Sequence, residues 1–375
     1  MYKPGNRLIG FIVSQSNSNP PETGKRRFTL RIKILLLLLA IIPVLVFCIN
    51  DYFRVPSLDE SVNRLPFIID RGMGMPTVAD SLLAKGLISD KEVFLLWLTT
   101  LNKDRSIKAG YYEIPLGLTN AQLISFLSKA PPKEMRVTLI EGWRIEEIAR
   151  QLHHSLNIDA EKFIRIVNDS SFVRGLNISE KNLEGYLLPD TYLFYWGVDE
   201  KKIAEFLVSR CMEIFTPRVM ARLDSMKMDV QNILTLASII EGEAIYDDER
   251  EIISSVYHNR LKRRIKLQAD PTIQYILKGP PRRLLFDDLK LDSPYNTYKY
   301  YGLPPGPISN PGKKSILAAI YPAKTKYIYF VAVGDGRHTF SQTAAEHNAA
   351  KAKFDRVRRE VYRKQRDLKR KRDSQ

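Results

Sequence analysis

The sequence predicts an α+β protein preceded by a single N-terminal membrane-spanning helix. Sixteen consecutive residues, 34–49, carry no polar side chain. The segments that follow alternate irregularly between helical and strand periodicity, without the repeated βα pattern of a doubly wound sheet. The charge is concentrated at the two ends. Residues 1–33 carry net +6 and residues 351–375 net +8 of a total +16, which leaves the stretch between them at only +2. A nucleic-acid reader usually carries its basic patch on the folded domain, so this distribution argues against nucleic acid as a partner. With 375 residues, 44% hydrophobic and 27% charged, the chain has room for two or three globular domains. Two cysteines are too few for a disulfide framework or a Cys-rich zinc module.

The apolar run ILLLLLAIIPVLVFCI spans about 24 Å as a helix. Leu30, Ile32 and Phe53 extend it toward the ~30 Å hydrocarbon core, with Arg31 and Lys33 snorkelling. A cleaved signal peptide would have a shorter apolar region and a small-x-small site, whereas Phe47, Cys48, Ile49 and Asn50 stand here. Lys25, Arg26, Arg27, Arg31 and Lys33 precede the run, and the positive-inside rule then places residues 1–33 in the cytoplasm and the rest across the membrane. The N-terminal arm reads as disordered and residues 54–65 as a linker.

Beyond the linker, 67–70 reads as a strand and Gly72 and Gly74 as a turn, with Thr77 capping a helix through Leu83. Asp90 opens the apolar helix KEVFLLWLTTL, 110–114 reads as a strand, Thr119 caps another helix, and Pro131-Pro132 closes the unit. A second strand–turn–helix follows at 136–140, Glu141-Gly142 and 145–152. Short βα units of this kind resemble LysM-like glycan-binding modules. Residues 159–230 read as mostly helical, interrupted by the aromatic segment LEGYLLPDTYLFYWG. The last region holds an apolar helix, an amphipathic helix at 249–263, a Pro/Gly loop at 292–312, and KYIYFVAV, which reads as a buried strand. A basic, charge-dense helix or tail ends the chain.

The helix NILTLASIIEGEA places Glu241 and Glu243 at the end of an apolar segment. Glu241 shares a face with Leu234, Ala237 and Ser238, where partial desolvation raises a carboxyl toward general-acid duty. Glu243 lies about 200° round the helix. Spacing does not choose between them, and both could instead engage Arg250 or Arg260. Asp247, Asp248 and Glu249 fit the first turn of the next helix. Amides, hydroxyls and rings then cluster in LQADPTIQY and SPYNTYKYYGLPPGPISNPG: Gln268, Gln274, Tyr275, Tyr295, Asn296, Thr297 and Tyr298. Sugar grooves use this mixture. His338 and His347 lack any short zinc spacing, and no Walker loop, G-x-S-x-G or dinucleotide fingerprint is present, so neither metal nor cofactor is expected.

ASIIEGE (237–243), SVYHNRL (255–261), LQADPT (267–272), YNTY (295–298), GLPPGPISNPG (302–312), YPAKTKYIYFVA (321–332) and HTFSQTAAEHN (338–348) stand together in order, after LEGYLLPDTY at 183–192. As a set they resemble the MltG/YceG family of endolytic murein transglycosylases. The resemblance implies a lyase that cleaves the MurNAc–GlcNAc bond within peptidoglycan strands and leaves 1,6-anhydro-MurNAc ends. It implies Glu241, the first acid of its motif, as the catalytic residue; Gln268, Asp270, Tyr295, Asn296 and Tyr298, in the segments that follow, are the expected substrate-binding residues. The family usually has a bulkier residue between the two acids, and Gly242 is expected to loosen the helix end by up to ~1 kcal/mol relative to Ala.

The implied organisation is a cytoplasmic arm (1–33), an anchor (34–53), a linker (54–65), a LysM-like unit (66–132), a YceG-like catalytic region (133–350) and a basic tail (351–375). It lies in the inner membrane with the catalytic region in the periplasm, where peptidoglycan synthases are natural partners and termination of nascent strands a natural role. The alternative function is a non-catalytic peptidoglycan-binding scaffold of the same fold.

Overall fold

A computed structural model describes residues 23–53, 63–277, 279–280 and 282–373. Of the arm expected to be disordered over 1–33, residues 1–22 lie outside the described residues, and 23–33 are instead helical, continuous with the apolar run in one helix. Of the linker expected over 54–65, residues 54–62 lie outside the described residues, and Arg64 and Leu65 already belong to a strand. The chain divides into two units, one formed by residues up to 65 with 73–108 and 114–130, the other by 66–72, 109–113 and 131 onward.

In the first unit, α1 (Thr23–Phe53) contains a 22-residue stretch, Ile32–Phe53, of mean hydropathy 3.1 that is long and apolar enough to cross a membrane. Only 6% of its most apolar window is buried, so it is not a core helix. The first unit also holds α2 (Met75–Ala84), α3 (Lys91–Thr100) and α4 (Asn120–Lys129), whereas β1 (Arg64–Ile69) and β2 (Gly110–Pro115), which pair with each other, belong mostly to the second unit. Asp90 caps α3 by accepting from the Val93 N–H at 2.9 Å, and Thr119 and Gln122 form a reciprocal capping box on α4. Thr77, expected to cap α2, lies inside it. Gly74 takes the cap position because Pro76, with no N–H and a fixed φ, fits the first turn. The core of this unit is formed by Val78, Leu82, Phe94, Leu98, Leu123 and Leu127.

The second unit continues with β3 (Glu134–Thr138), α5 (Ile145–Leu156), α6 (Ala160–Val167), α7 (Ser170–Gly175) and β4 (Thr191–Tyr195). β3 and β4 are antiparallel, with Val137 opposite Tyr192 and Thr138 opposite Thr191. β3 begins two residues earlier than the expected 136–140, because Glu134 and Met135 already pair with Tyr195 and Phe194, and past Thr138 the Leu139 N–H still donates to the Asp190 carbonyl in the same register. Next come α8 (Glu200–Met212), α9 (Pro217–Met226), α10 (Val230–Glu243), α11 (Asp247–Lys262), α12 (Asp270–Ile276) and α13 (Lys313–Ile320). A hairpin of β5 (Tyr329–Ala332) and β6 (His338–Ser341) precedes α14 (Ala344–Asp373).

α10 is the central helix of the second unit. Every residue from Ile233 to Ile240 is buried, and α11, α12 and α13 pack around it. The expected buried strand at 326–333 is instead the half-buried β5. A two-stranded hairpin has two faces to cover, and packing on α11 and α14 leaves part of it open. Small two-stranded sheets set among helices make the fold α+β, as the sequence indicates.

Candidate active site

The apolar character of α10 ends abruptly, and its last turn presents Glu241 and Glu243 in opposite directions. Ala244 is extended, which stops the helix immediately after them. Glu243 lies on the floor of an open cleft of about 820 Å³. The turn from β3 into α5, with Glu141, Gly142, Trp143 and Arg144, forms one part of its wall. Asp270, Pro271 and Gln274 at α12 form another, and Ile308 and Ser309 complete it.

Burial pushes the Glu243 carboxyl up to about 7, and the neighbouring Asp270 charge acts in the same direction. The Tyr257 hydroxyl donates to Glu243 Oε1 at 3.0 Å, which opposes the shift and fixes the orientation of the carboxyl. Burial also holds the Tyr257 phenol well above its usual range, so it remains a donor. Glu243 can therefore both hold and release a proton near neutral pH.

Glu241 has different surroundings and does not line the cleft. Its Oε1 accepts from Arg250 Nη1 at 2.9 Å and its Oε2 from the Gly312 N–H, at the start of α13, also at 2.9 Å. The side chains of Glu241 and Arg250 are each 7% exposed. Asp247 joins the same guanidinium at 3.0 Å. The carboxyl that the sequence singled out as the acid is thus paired with a cation and ties α10 to α11 and α13. Asp247, Asp248 and Glu249 stand in the first turn of α11, as their spacing indicated.

Gly242 lies between the two acids and also lines the cleft. A Cβ there would come 2.6 Å from Pro271 Cβ. Glycine at this position therefore admits the close approach of α12, and α10 continues through it to Glu243. In Gly242→Ala, the helix-propensity gain of ~1 kcal/mol competes with an overpacking cost of ~1–3 kcal/mol. The variant is expected to melt a few degrees below wild type, and a higher Tm in a thermal scan would show that propensity dominates.

The expected substrate residues separate into two groups. Asp270 is exposed in the cleft and accepts a hydrogen bond from the Tyr298 hydroxyl, so Tyr298 positions it from behind. Gln274 also reaches the cleft. Asn296 does not: it is fully buried, its Nδ2 donates to the carbonyls of Leu289 and Leu291, and its Oδ1 accepts from the Tyr298 N–H. Its amide is fully engaged in shaping the loop, which corrects the expectation of substrate contact. The Tyr295 ring packs tilted against Tyr275, centroids 4.7 Å apart, and the Arg144 guanidinium lies over the Tyr275 ring at 4.7 Å. Tyr295 therefore supports the wall rather than lining it. Gln268 is exposed outside the cleft lining, where its Oε1 accepts from Arg260.

Sequence reasoning missed the wall formed by residues 141–144, which read only as a turn. The one available signal was Trp143, a large ring in a turn that has no need of it. Reasoning also missed Asn310, whose side chain joins three loops. Its Oδ1 accepts from the N–H groups of Gly185 and Leu187, and its Nδ2 donates to the Trp143 carbonyl and to Glu184 Oε1. Glu184 is buried beneath this junction, and burial pushes its carboxyl up to about 8.

The protonated Glu184 has a consequence for stability. An unfolded glutamate releases its proton near ~4.3, so between there and about 8 the folded state binds more protons than the unfolded one. Stability must then fall as pH rises through this window. The Tm is expected to drop between about pH 5 and pH 8, and Glu184→Gln, which stays neutral, should remove much of that slope. An unchanged slope in the variant would contradict this origin.

Fold and site together define an α+β protein whose open cleft is built around one proton-holding carboxyl. The chain belongs to the YceG-like family, which it matches over residues 67–353. It is 32% identical over 317 residues to a protein of Bacillus subtilis named endolytic murein transglycosylase, covering 80% of this chain and 87% of that one. A Streptococcus pneumoniae protein of the same name is 28% identical over 75% of this chain, which spans 56% of the pneumococcal protein's length. The crystal structure of a yceG-like protein from Listeria monocytogenes superimposes with a TM-score of 0.53 at 32% identity, covering 76% of this chain and 98% of that one.

Proposed function

We propose that this protein is a membrane-anchored endolytic murein transglycosylase with Glu243 as its acid. The observation that carries the reading is the Glu243 carboxyl on the cleft floor, which keeps its proton to about 7. The homology to proteins named for this activity supports the substrate class. Glu243 takes the catalytic role first expected at Glu241, because Glu241 is held in an ion pair outside the cleft.

In the proposed reaction the Glu243 carboxyl donates its proton to the oxygen linking MurNAc to GlcNAc as that bond breaks. The resulting carboxylate takes the proton of the muramyl C6 hydroxyl while that oxygen attacks C1. A 1,6-anhydro end forms, no water is consumed, and Glu243 is protonated again. An ordinary glycosidase needs a second carboxylate to act as nucleophile or to activate water. Here the attacking hydroxyl belongs to the substrate, and its proximity replaces that group. Asp270 and Gln274 are placed to meet sugar hydroxyls, and Trp143 offers a ring to a sugar face.

The order β1–α2–α3–β2, with its strands paired, supports a LysM-like reading of residues 66–132 and a role in holding a glycan strand. α1 is proposed as a single inner-membrane anchor with the N-terminus cytoplasmic, on the strength of the basic flank at 25–33. Cleavage beside the membrane suits termination of nascent strands near their synthases. A reporter fused after residue 375 should be active only in the exported compartment, and cytoplasmic activity would reverse the orientation. Mass spectrometry of muropeptides released by the purified exported region tests the reaction itself. Anhydro ends are the expected result, reducing ends would indicate a hydrolase, and no product would indicate a scaffold.

A further inference from the structure

α1 does not end at a free tether. Its last turns are latched onto the small unit: Trp97 Nε1 donates to the Cys48 carbonyl at 3.2 Å, and the Tyr52 and Trp97 rings lie 4.4 Å apart. Asn120 Nδ2 donates to both the carbonyl and the Oδ2 of Asp51, at 2.9 and 2.7 Å. Cys48 and Asp51 are buried as a result. Next to this latch an apolar groove of about 390 Å³ runs between α1 and α3. Ala40, Val44 and Cys48 lie along one wall, and Leu96, Trp97 and Thr100 along the other.

The position of the groove along α1 identifies its surroundings. From Ala40 to Cys48 the helix rises about 12 Å, beginning near the middle of the 22-residue apolar stretch and running toward its end at Phe53. That is close to the depth of one leaflet, half of the ~30 Å hydrocarbon core. If α1 spans the bilayer, the α3 residues facing this part of it are at leaflet depth too.

The composition of α3 fits that location. No charged side chain occurs between Glu92 and Lys103. Leu96, which lines the groove, is 54% exposed, and Leu101, just past the helix, is 40% exposed. The exposed threonines are satisfied without water: Thr99 Oγ1 donates to the Leu95 carbonyl at 2.9 Å and Thr100 Oγ1 to the Leu96 carbonyl at 2.7 Å. Lys103 and Arg105, just past α3, can meet lipid phosphates, while Lys91 at its other end is paired with Asp80 at 2.6 Å.

We infer that α3 is seated in the leaflet on the side of the folded units, and that the groove between α1 and α3 holds an acyl chain of a bilayer phospholipid. The inference rests on the reading of α1 as a membrane anchor. The small unit is then partly embedded beside its own anchor.

The test uses the full chain in phospholipid vesicles, in a Cys48→Ala, Cys211→Ala background. A spin label is placed in turn at Leu96→Cys, Leu39→Cys and Lys129→Cys, and relaxation by dissolved oxygen, which partitions into lipid, is compared with relaxation by a water-soluble nickel chelate. The oxygen-to-nickel ratio at position 96 is expected within about threefold of that at 39, inside α1, and at least tenfold above that at 129, at the far end of α4. A water-like ratio at 96 with a lipid-like ratio at 39 overturns the seating while leaving the anchor intact. A water-like ratio at 39 removes the anchor reading and this inference with it. Low accessibility to both reagents at 96 would mean that a second copy of the chain covers the groove, which also overturns the lipid assignment.

Discussion

Glu243→Gln is expected to reduce the rate of product formation by about 10²–10⁴-fold, the usual contribution of a positioned acid–base group. The amide keeps the size of the side chain and still accepts the Tyr257 hydrogen bond, but it cannot deliver a proton. The folded protein should be unharmed or slightly stabilised above neutral pH. The raised value of about 7 means that ionised Glu243 is disfavoured in the fold, and Gln removes that ionisation. The same value sets the pH profile. The first step requires the protonated form, so kcat/KM should decline above about pH 7, and the residual activity of Glu243→Gln should lack that alkaline limb. Product assay and thermal melting on one preparation give both readouts. If Glu243→Gln retains full rate while Glu241→Gln is inactive yet melts normally, the acid is Glu241 and the geometric argument fails.

Arg250→Leu is expected to have the largest effect on stability. Its side chain is 7% exposed and pairs with Glu241, reaches Asp247, and donates to Ser315. Removing it leaves the Glu241 carboxylate at the end of a buried helix without its cation, a change that typically costs about 3–5 kcal/mol. For a unit of this size that corresponds to a Tm lower by roughly 10 °C. Arg250→Leu combined with Glu241→Leu should recover part of the loss, because no buried charge then remains unpaired. Both variants should still form product at a temperature where they are folded. This outcome would separate a carboxylate that supports the helix end from the one that acts in the cleft. A wild-type Tm for Arg250→Leu would mean that the ion pair contributes nothing.

The two acids show what sequence periodicity could and could not resolve. Helical spacing placed Glu241 and Glu243 on different faces of α10, and the structure keeps them apart as expected. Which face meets solvent depends on partners distant in the chain. Arg250 and Gly312 close over Glu241, whereas Tyr257, Asp270 and the 141–144 turn leave a cleft beside Glu243. The same holds for the YNTY segment. Its composition suits a sugar site, yet Asn296 is turned inward onto its own loop and the Tyr298 hydroxyl donates to Asp270.

The sequence by itself determined the local features of this protein. An apolar run of membrane length, Asp90 and Thr119 as helix caps, the acidic first turn of α11 and the basic C-terminal helix are all read within a few residues of one another. So is the family, because its motifs are contiguous strings. The tertiary structure alone decided what requires burial and long-range contact: the ion pair that occupies Glu241, the retained proton of Glu243, and Asn310 joining loops 125 and 167 residues away. The physical reason is that a carboxyl's proton affinity is set by the dielectric and the charges around it. In this fold those are supplied by α11, α12 and the β3–α5 turn, segments whose approach to the end of α10 no local spacing encodes.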